Sequence, residues 1–121
     1  MKALLKNYHQ APRKVRLVAD LIRCKSVPDA RAALTYLPKK SSPVLAKLLN
    51  SAVANANGVK AEDLFVKKIT VDKGVVMKRH RPFARGRSGS LDKIMSIVAI
   101  ELGTQTSTPA VKTKRAKAEK K

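Results

Sequence analysis

The chain has very little acid to set against its base. Only 8 Asp and Glu accompany 27 Lys and Arg in 121 residues, leaving a formal net charge of +19. A field of that size calls for a polyanion, and nucleic acid, which repays bound cations by releasing condensed counterions, is the first choice over a membrane surface. Cysteine is almost absent as well. Cys24 alone excludes an internal disulfide, and with only His9 and His80 beside it no zinc ligand set can be assembled, so it is expected to be a partly buried structural thiol. Tryptophan is missing and the aromatic residues are Tyr8, Tyr36, Phe65 and Phe83, too scattered for a module that stacks single-stranded bases. No apolar run approaches the ~20 residues of a membrane span, and the first ten residues lack the apolar stretch of a secretory signal. The expectation is a soluble, cytoplasmic protein without cofactor, metal, small-molecule substrate or membrane partner, which recognises folded RNA by shape and phosphate.

What is present suffices for one modest core, expected within residues 1–103. After Pro12, which suits a first helical turn, Val15, Val18, Ala19 and Ile22 recur at helical spacing, while Arg13, Arg16, Asp20 and Arg23 share the other side. That polar side is read as a phosphate-facing surface, the alternative being pairing of Asp20 with Arg16 and Arg23 on a solvated helix. Ser26 and Asp29 have capping-box spacing ahead of Ala30, Ala33, Leu34 and Leu37, and Pro38 stops that helix. A third helix, with Ser42 as N-cap and Pro43 at its first position, carries Val44, Leu45, Leu48, Leu49, Ala52, Val53 and Ala56 and closes at Asn57-Gly58.

Beyond Gly58 the period changes. Phe65, Ile69 and Val71 alternate with Leu64, Val66, Lys68 and Thr70, predicting a strand that ends near Asp72-Lys73-Gly74. A second β stretch starts at Val75, a third covers Ile94 to Leu102, and Ala3 to Tyr8 can add an edge strand. The fold class is α+β, three helices packed on a small antiparallel sheet.

The positive charge is unevenly spread. Residues 77–93 hold six basic side chains and one acidic one, residues 1–25 seven and one, and residues 104–121 six and one. The 77–93 segment contains Lys78, Arg79, His80, Arg81, Arg85, Arg87 and Lys93 with Pro82, Gly86 and Gly89, yet almost nothing able to fill a core. Composition alone fits a floppy basic loop equally well, but its position between two apolar β stretches predicts a protruding hairpin over about residues 75–96, some 30 Å long at ~3.3 Å per residue. Such a ribbon is marginal alone and repels itself, so bound RNA is expected to hold it in shape. The tail from Thr104 has no apolar periodicity and is expected to be disordered and basic.

Two stretches carry a family resemblance: Pro12-Arg13-Lys14-Val15-Arg16-Leu17-Val18-Ala19-Asp20-Leu21-Ile22-Arg23, and Met77-Lys78-Arg79 with Pro82, Ala84, Gly86 and Arg87. Together with Lys47 to Ala56 between them, they resemble the universal large-subunit ribosomal protein L twenty-two family, bacterial type, in order and spacing over residues 3–102. The resemblance implies a structural constituent of the large ribosomal subunit that binds its 23S-type RNA, supports assembly, adjoins other ribosomal proteins and lines the exit tunnel of the nascent polypeptide with its hairpin. It assigns RNA contact to Arg13, Lys14, Arg16, Arg23 and Lys25 beside the globular part. In the hairpin it assigns contact to Lys78, Arg79, His80, Arg81, Arg85, Gly86, Arg87 and Lys93, with Phe83, Ala84, Arg85, Gly86, Arg87 and Ser88 at the tunnel-lining tip.

This chain departs from the family pattern at several positions. Ala11 stands where a capping Ser is usual, forfeiting ~1 kcal/mol. Cys24 replaces a Gly at a helix-closing turn, Phe83 replaces an Arg, and Asp92 lowers the charge of the returning arm. Gly86-Arg87-Ser88-Gly89 fits the backbone-clamping GXXG loop of KH domains, but that loop joins two helices and this one lies between strands. A ribonuclease would need a partner for His9 or His80, and no pairing is visible, so no catalytic residue is assigned and the chain is read as a non-enzyme. A chromatin-like DNA binder fits the charge but leaves the hairpin unexplained.

Overall fold

The computed structural model describes residues 1–104, so the tail beyond Thr104 lies outside the described residues. In chain order the elements are β1 (Lys2–Tyr8), α1 (Pro12–Ile22), α2 (Val27–Tyr36), α3 (Ser42–Ala54), a 3-10 turn (Ala61–Asp63), β2 (Leu64–Pro82), a second 3-10 turn (Ala84–Gly86) and β3 (Ser88–Thr104). The strands form one antiparallel sheet in the order β1-β3-β2, with the apolar β3 at its centre. Three helices and this sheet make the expected α+β fold.

Local chemistry explains most of the element boundaries. Pro12 opens α1, and Ala11 supplies no side-chain cap. At α2, the Ser26 hydroxyl accepts from the Asp29 N–H at 3.3 Å. At α3 the expected cap moves: Ser41 takes the N-cap position, and the buried Ser42 hydroxyl donates to the Leu34 carbonyl at the end of α2. Ser42 thus ties two helices together instead of capping one. Helix α3 stops at Ala54, short of the expected Asn57-Gly58 closure. Those two residues form the turn beyond it, with φ values of 39° and 89°.

The alternation read across residues 64–71 is corrected by a bulge. Val66 pairs with Leu102 and Lys68 with Glu101, so Lys67 is the extra residue. One inserted residue reverses the phase of a period-two pattern. Leu64 and Val66 therefore share the buried face with Ile69 and Val71, and Phe65 lies half-buried over Gly103. A second irregularity between Lys73 and Val76 carries the chain on, so the predicted break at Gly74 is absent and β2 is one strand of 19 residues.

Ile22 of α1, Leu45 and Leu49 of α3, Leu64 of β2 and Ile100 of β3 are wholly buried together between helices and sheet. The outer edge of β2 is also closed between Val66 and Val71. Arg16 donates from Nε and Nη2 to the Val71 carbonyl at 3.1 and 2.9 Å, and Arg23 Nη2 reaches the Ile69 carbonyl at 3.4 Å. The Cys24 N–H donates to Val66 O at 3.2 Å, and the Val66 N–H to Lys25 O at 2.9 Å. Strand groups that would otherwise invite another chain are thereby occupied. Among the described residues no helix is long and apolar enough to cross a membrane.

Candidate nucleic-acid interface

The outer half of β2 leaves the body still paired with β3. Its ladder runs from Val76↔Ile94 to Pro82↔Ser88, and no residue between Val71 and Met95 is buried. At the root, a Cβ on Gly74 would lie 3.2 Å from Ile97 Cγ1 and 3.3 Å from the Met95 carbonyl. Glycine lets the irregular strand pass this close to its partner.

Register sorts the side chains of this arm into two faces, because residues directly opposite in a ladder point the same way. One face carries Met77 with Lys93, Arg79 with Leu91, and Arg81 with Gly89. The other carries Val76 with Ile94, Lys78 with Asp92, and His80 with Ser90. Three cations and no acid lie on the first face, while Asp92 offsets Lys78 on the second. A polyanion would meet far less opposition on the first.

The tip is a closed turn. The Phe83 N–H donates to Arg87 O at 2.8 Å and the Arg87 N–H to Ala84 O at 3.5 Å, while Arg85 and Gly86 adopt φ of 59° and 68°. The Phe83 ring, 59% exposed, folds over Gly89, where an added Cβ would come within 2.2 Å of it. Arg85, Arg87 and Ser88 are exposed around this turn. The Gly86 to Gly89 stretch joins two strands, not the two helices a KH loop requires.

Helix α1 and the turn after it divide their basic residues between two tasks. Arg13 and Lys14 are exposed. Arg16 spends two donors on β2, and Arg23 combines its strand contact with an ion pair to Asp20 at 3.0 Å. Lys25 is half-buried and gives its carbonyl to Val66. Asp20 thus pairs with Arg23 while Arg16 turns to the sheet. Cys24 is exposed, contrary to the buried thiol expected, because its left-handed backbone (φ 59°) sits in the turn that follows α1.

Two of the candidates, Lys14 and Lys93, line one cavity at the root of the arm together with His9 and Lys40. Sequence reading missed the latter two, which stand in short connections whose closeness only the fold creates. Elsewhere, Glu101 is held below its usual pKa by its hydrogen bond to Lys2, whose Nζ lies 3.0 Å away, and partial burial raises Tyr8. Among the described residues no group of three His, Cys, Asp or Glu side chains could hold a metal ion.

A small α+β body bearing a two-stranded arm with one cationic face defines the class of protein by its architecture. The family described as Ribosomal protein L22p/L17e matches residues 3–103, and the chain belongs to it. Similar proteins include the large ribosomal subunit protein uL22 of Herpetosiphon aurantiacus, 47% identical over 102 residues that cover 82% of this chain and 90% of the relative. The uL22 of Onion yellows phytoplasma is 44% identical over 108 residues, covering 87% of this chain and 84% of the relative. That of Acholeplasma laidlawii is 44% identical over 102 residues, covering 82% and 92%.

Proposed function

We propose that the chain is a structural constituent of the large ribosomal subunit, in the cytoplasm, where it binds 23S-type ribosomal RNA and supports subunit assembly. Residues 1–103 act as one RNA-binding domain, with neighbouring ribosomal proteins as further partners. The role is architectural and involves no catalytic step: cations placed where RNA segments converge neutralise phosphates and let those segments pack. Arg13 and Lys14 serve the body side, Arg16, Arg23 and Lys25 border it, and Arg79, Arg81 and Lys93 with the tip residues Arg85 and Arg87 serve the arm. Gly86 gives the tip its turn, Lys78 and His80 occupy the arm's other face, and the Phe83 to Ser88 tip lines the nascent-peptide tunnel.

The observation that carries this reading is the arm itself, an ordered ladder with no buried side chain and a face of cations unopposed by acid. A two-stranded ribbon gains little stability alone, so RNA along one face supplies what a core does elsewhere. Changing Arg79, Arg81, Arg85 and Arg87 together to Gln should deplete the chain from large subunits in sedimentation gradients, while circular dichroism of the free protein remains that of the folded body. Stoichiometric incorporation of the variant would sink the proposal.

A further inference from the structure

Where the arm leaves the body, the link from β1 to α1, the start of α1 and the loop before α3 enclose a cavity of about 480 Å³. His9, Gln10, Ala11 and Lys14 form one side, Lys40 another, and Met77, Lys93, Ile94 and Met95 the wall made by the arm. A second cavity of about 280 Å³ shares Gln10, Lys14 and Lys40 and continues past Lys39, Ser41, Leu17 and Val18. The two form a trough that crosses from the helical layer to the root of the arm. Among the described residues its charged and titratable lining is His9, Lys14, Lys39, Lys40 and Lys93, with no carboxylate in either part.

The walls are fixed from behind. Tyr8 donates its hydroxyl hydrogen to Gln10 Oε1 at 2.8 Å and lies 3.4 Å from the Lys40 carbonyl, and the buried Ser96 hydroxyl donates to the Gln10 carbonyl. Ala11 leaves the start of α1 without a side-chain cap, and its first turn contains no acid. The positive end of that helix dipole adds to the lysines. Four lysines from three segments, Lys14 of α1, Lys39 and Lys40 of the loop before α3 and Lys93 of β3, repel one another in the free protein, an arrangement that gains free energy when an anion enters.

We propose that this trough binds a stretch of RNA phosphodiester backbone that passes from the body to the arm, with Lys14 and Lys40 on either side of the strand and Lys93 at its exit. The inference rests on the RNA-binding reading above and deepens it by adding His9, Lys39 and Lys40 to the interface. The trough is wider than a single-ion pocket, and its lysines line two joined cavities, which suits successive phosphates. Entry at this point also fixes the direction of the RNA, leading it onto the face of Lys93, Arg79 and Arg81.

The test measures binding of the full chain to protein-free large-subunit ribosomal RNA across a salt series. It compares wild type, a Lys14→Gln/Lys40→Gln variant and a control, Lys67→Gln/Lys68→Gln, that removes the same charge from exposed positions of β2. The trough variant should bind on the order of tenfold more weakly, with a log K against log salt slope shallower by roughly 2. The control should change affinity by no more than about threefold. Equal weakening in both variants would overturn the trough while leaving RNA binding intact. No preference of wild type for this RNA over an unrelated transcript of equal length would instead overturn the underlying reading. Acylation of lysines followed by mass spectrometry should show Lys14, Lys39, Lys40 and Lys93 protected by the RNA and not by inorganic phosphate at matched ionic strength. Equal protection by inorganic phosphate would mean an ion site and overturn the backbone track.

Discussion

The two halves of the β2–β3 ladder share hydrogen-bonding chemistry and differ in everything that makes a sheet stable. In the root half, from Leu64↔Thr104 to Lys73↔Ser96, one face packs into the core, and Leu64, Val66, Ile69, Val71, Val98, Ile100 and Leu102 are buried. In the arm, from Val76↔Ile94 to Pro82↔Ser88, no side chain is buried. Backbone pairing in water contributes little net free energy, since strand and solvent compete for the same groups. The root is therefore held by burial at about 25 cal/mol per Å² of apolar area, and the arm by continuity with the root and by whatever covers it. One ladder thus serves two ends: its inner half builds the domain and its outer half presents charge.

The largest effect separates the halves within a single strand. Ile100→Ala should cost about 3–4 kcal/mol, the transfer term plus the cavity left among wholly buried neighbours. Leu91→Ala, at a site 46% exposed on the same strand, should cost less than about 0.5 kcal/mol. Denaturant midpoints of the free protein decide between the two. A comparable loss for Leu91→Ala would show that the arm belongs to the cooperative unit and would break the comparison.

A smaller effect tests the seam between helix and ladder. Arg16→Ala removes two donors from the Val71 carbonyl, and hydrogen bonds from charged donors contribute about 1.5–3 kcal/mol, discounted here because Arg16 is partly solvated. The expected loss is about 1–2 kcal/mol of stability in free protein. If stability stays unchanged while RNA affinity falls, Arg16 belongs to the interface and the sheet edge closes without it.

The helices were legible because α1, α2 and α3 combine periodic apolar faces with Ser or Pro start signals, all within a few residues of one another. The strands were legible as β but not in phase: the single extra residue at Lys67 and the irregularity at Gly74 change registry without changing composition, so alternation alone assigned Phe65 to the wrong face and cut β2 in two. The arm was visible as a charged gap between apolar strands, yet its two faces depend on register, which no local spacing specifies. Arg16 and Arg23 read as surface charge because their partners are backbone carbonyls of a distant strand, a contact that side-chain patterns do not encode. The trough residues His9 and Lys40 were invisible for the same reason.

The subtlest prediction concerns the tip, where a Phe83 ring that is 59% exposed lies over Gly89. A Cβ at Gly89 would fall 2.2 Å from a Phe83 ring carbon, a distance the ring cannot tolerate but can escape by rotating, since it is held on one side only. Gly89 has no positive φ, so alanine is compatible with its backbone, and β structure favours it slightly over glycine. Gly89→Ala should therefore leave global stability within about 0.5 kcal/mol while moving the ring off the cationic face. The Cα proton shifts at position 89, displaced by the ring current of the Phe83 ring lying over the glycine, should relax towards free values, and the Phe83 N–H to Arg87 O bond should persist as slow exchange relative to the exposed Arg85 amide. Collapse of that bond as well would mean that the ring closes the turn. Its survival would mean that the backbone closes the turn and Phe83 is free to meet a partner, the tip thus sharing with the rest of the arm an order that owes nothing to a core.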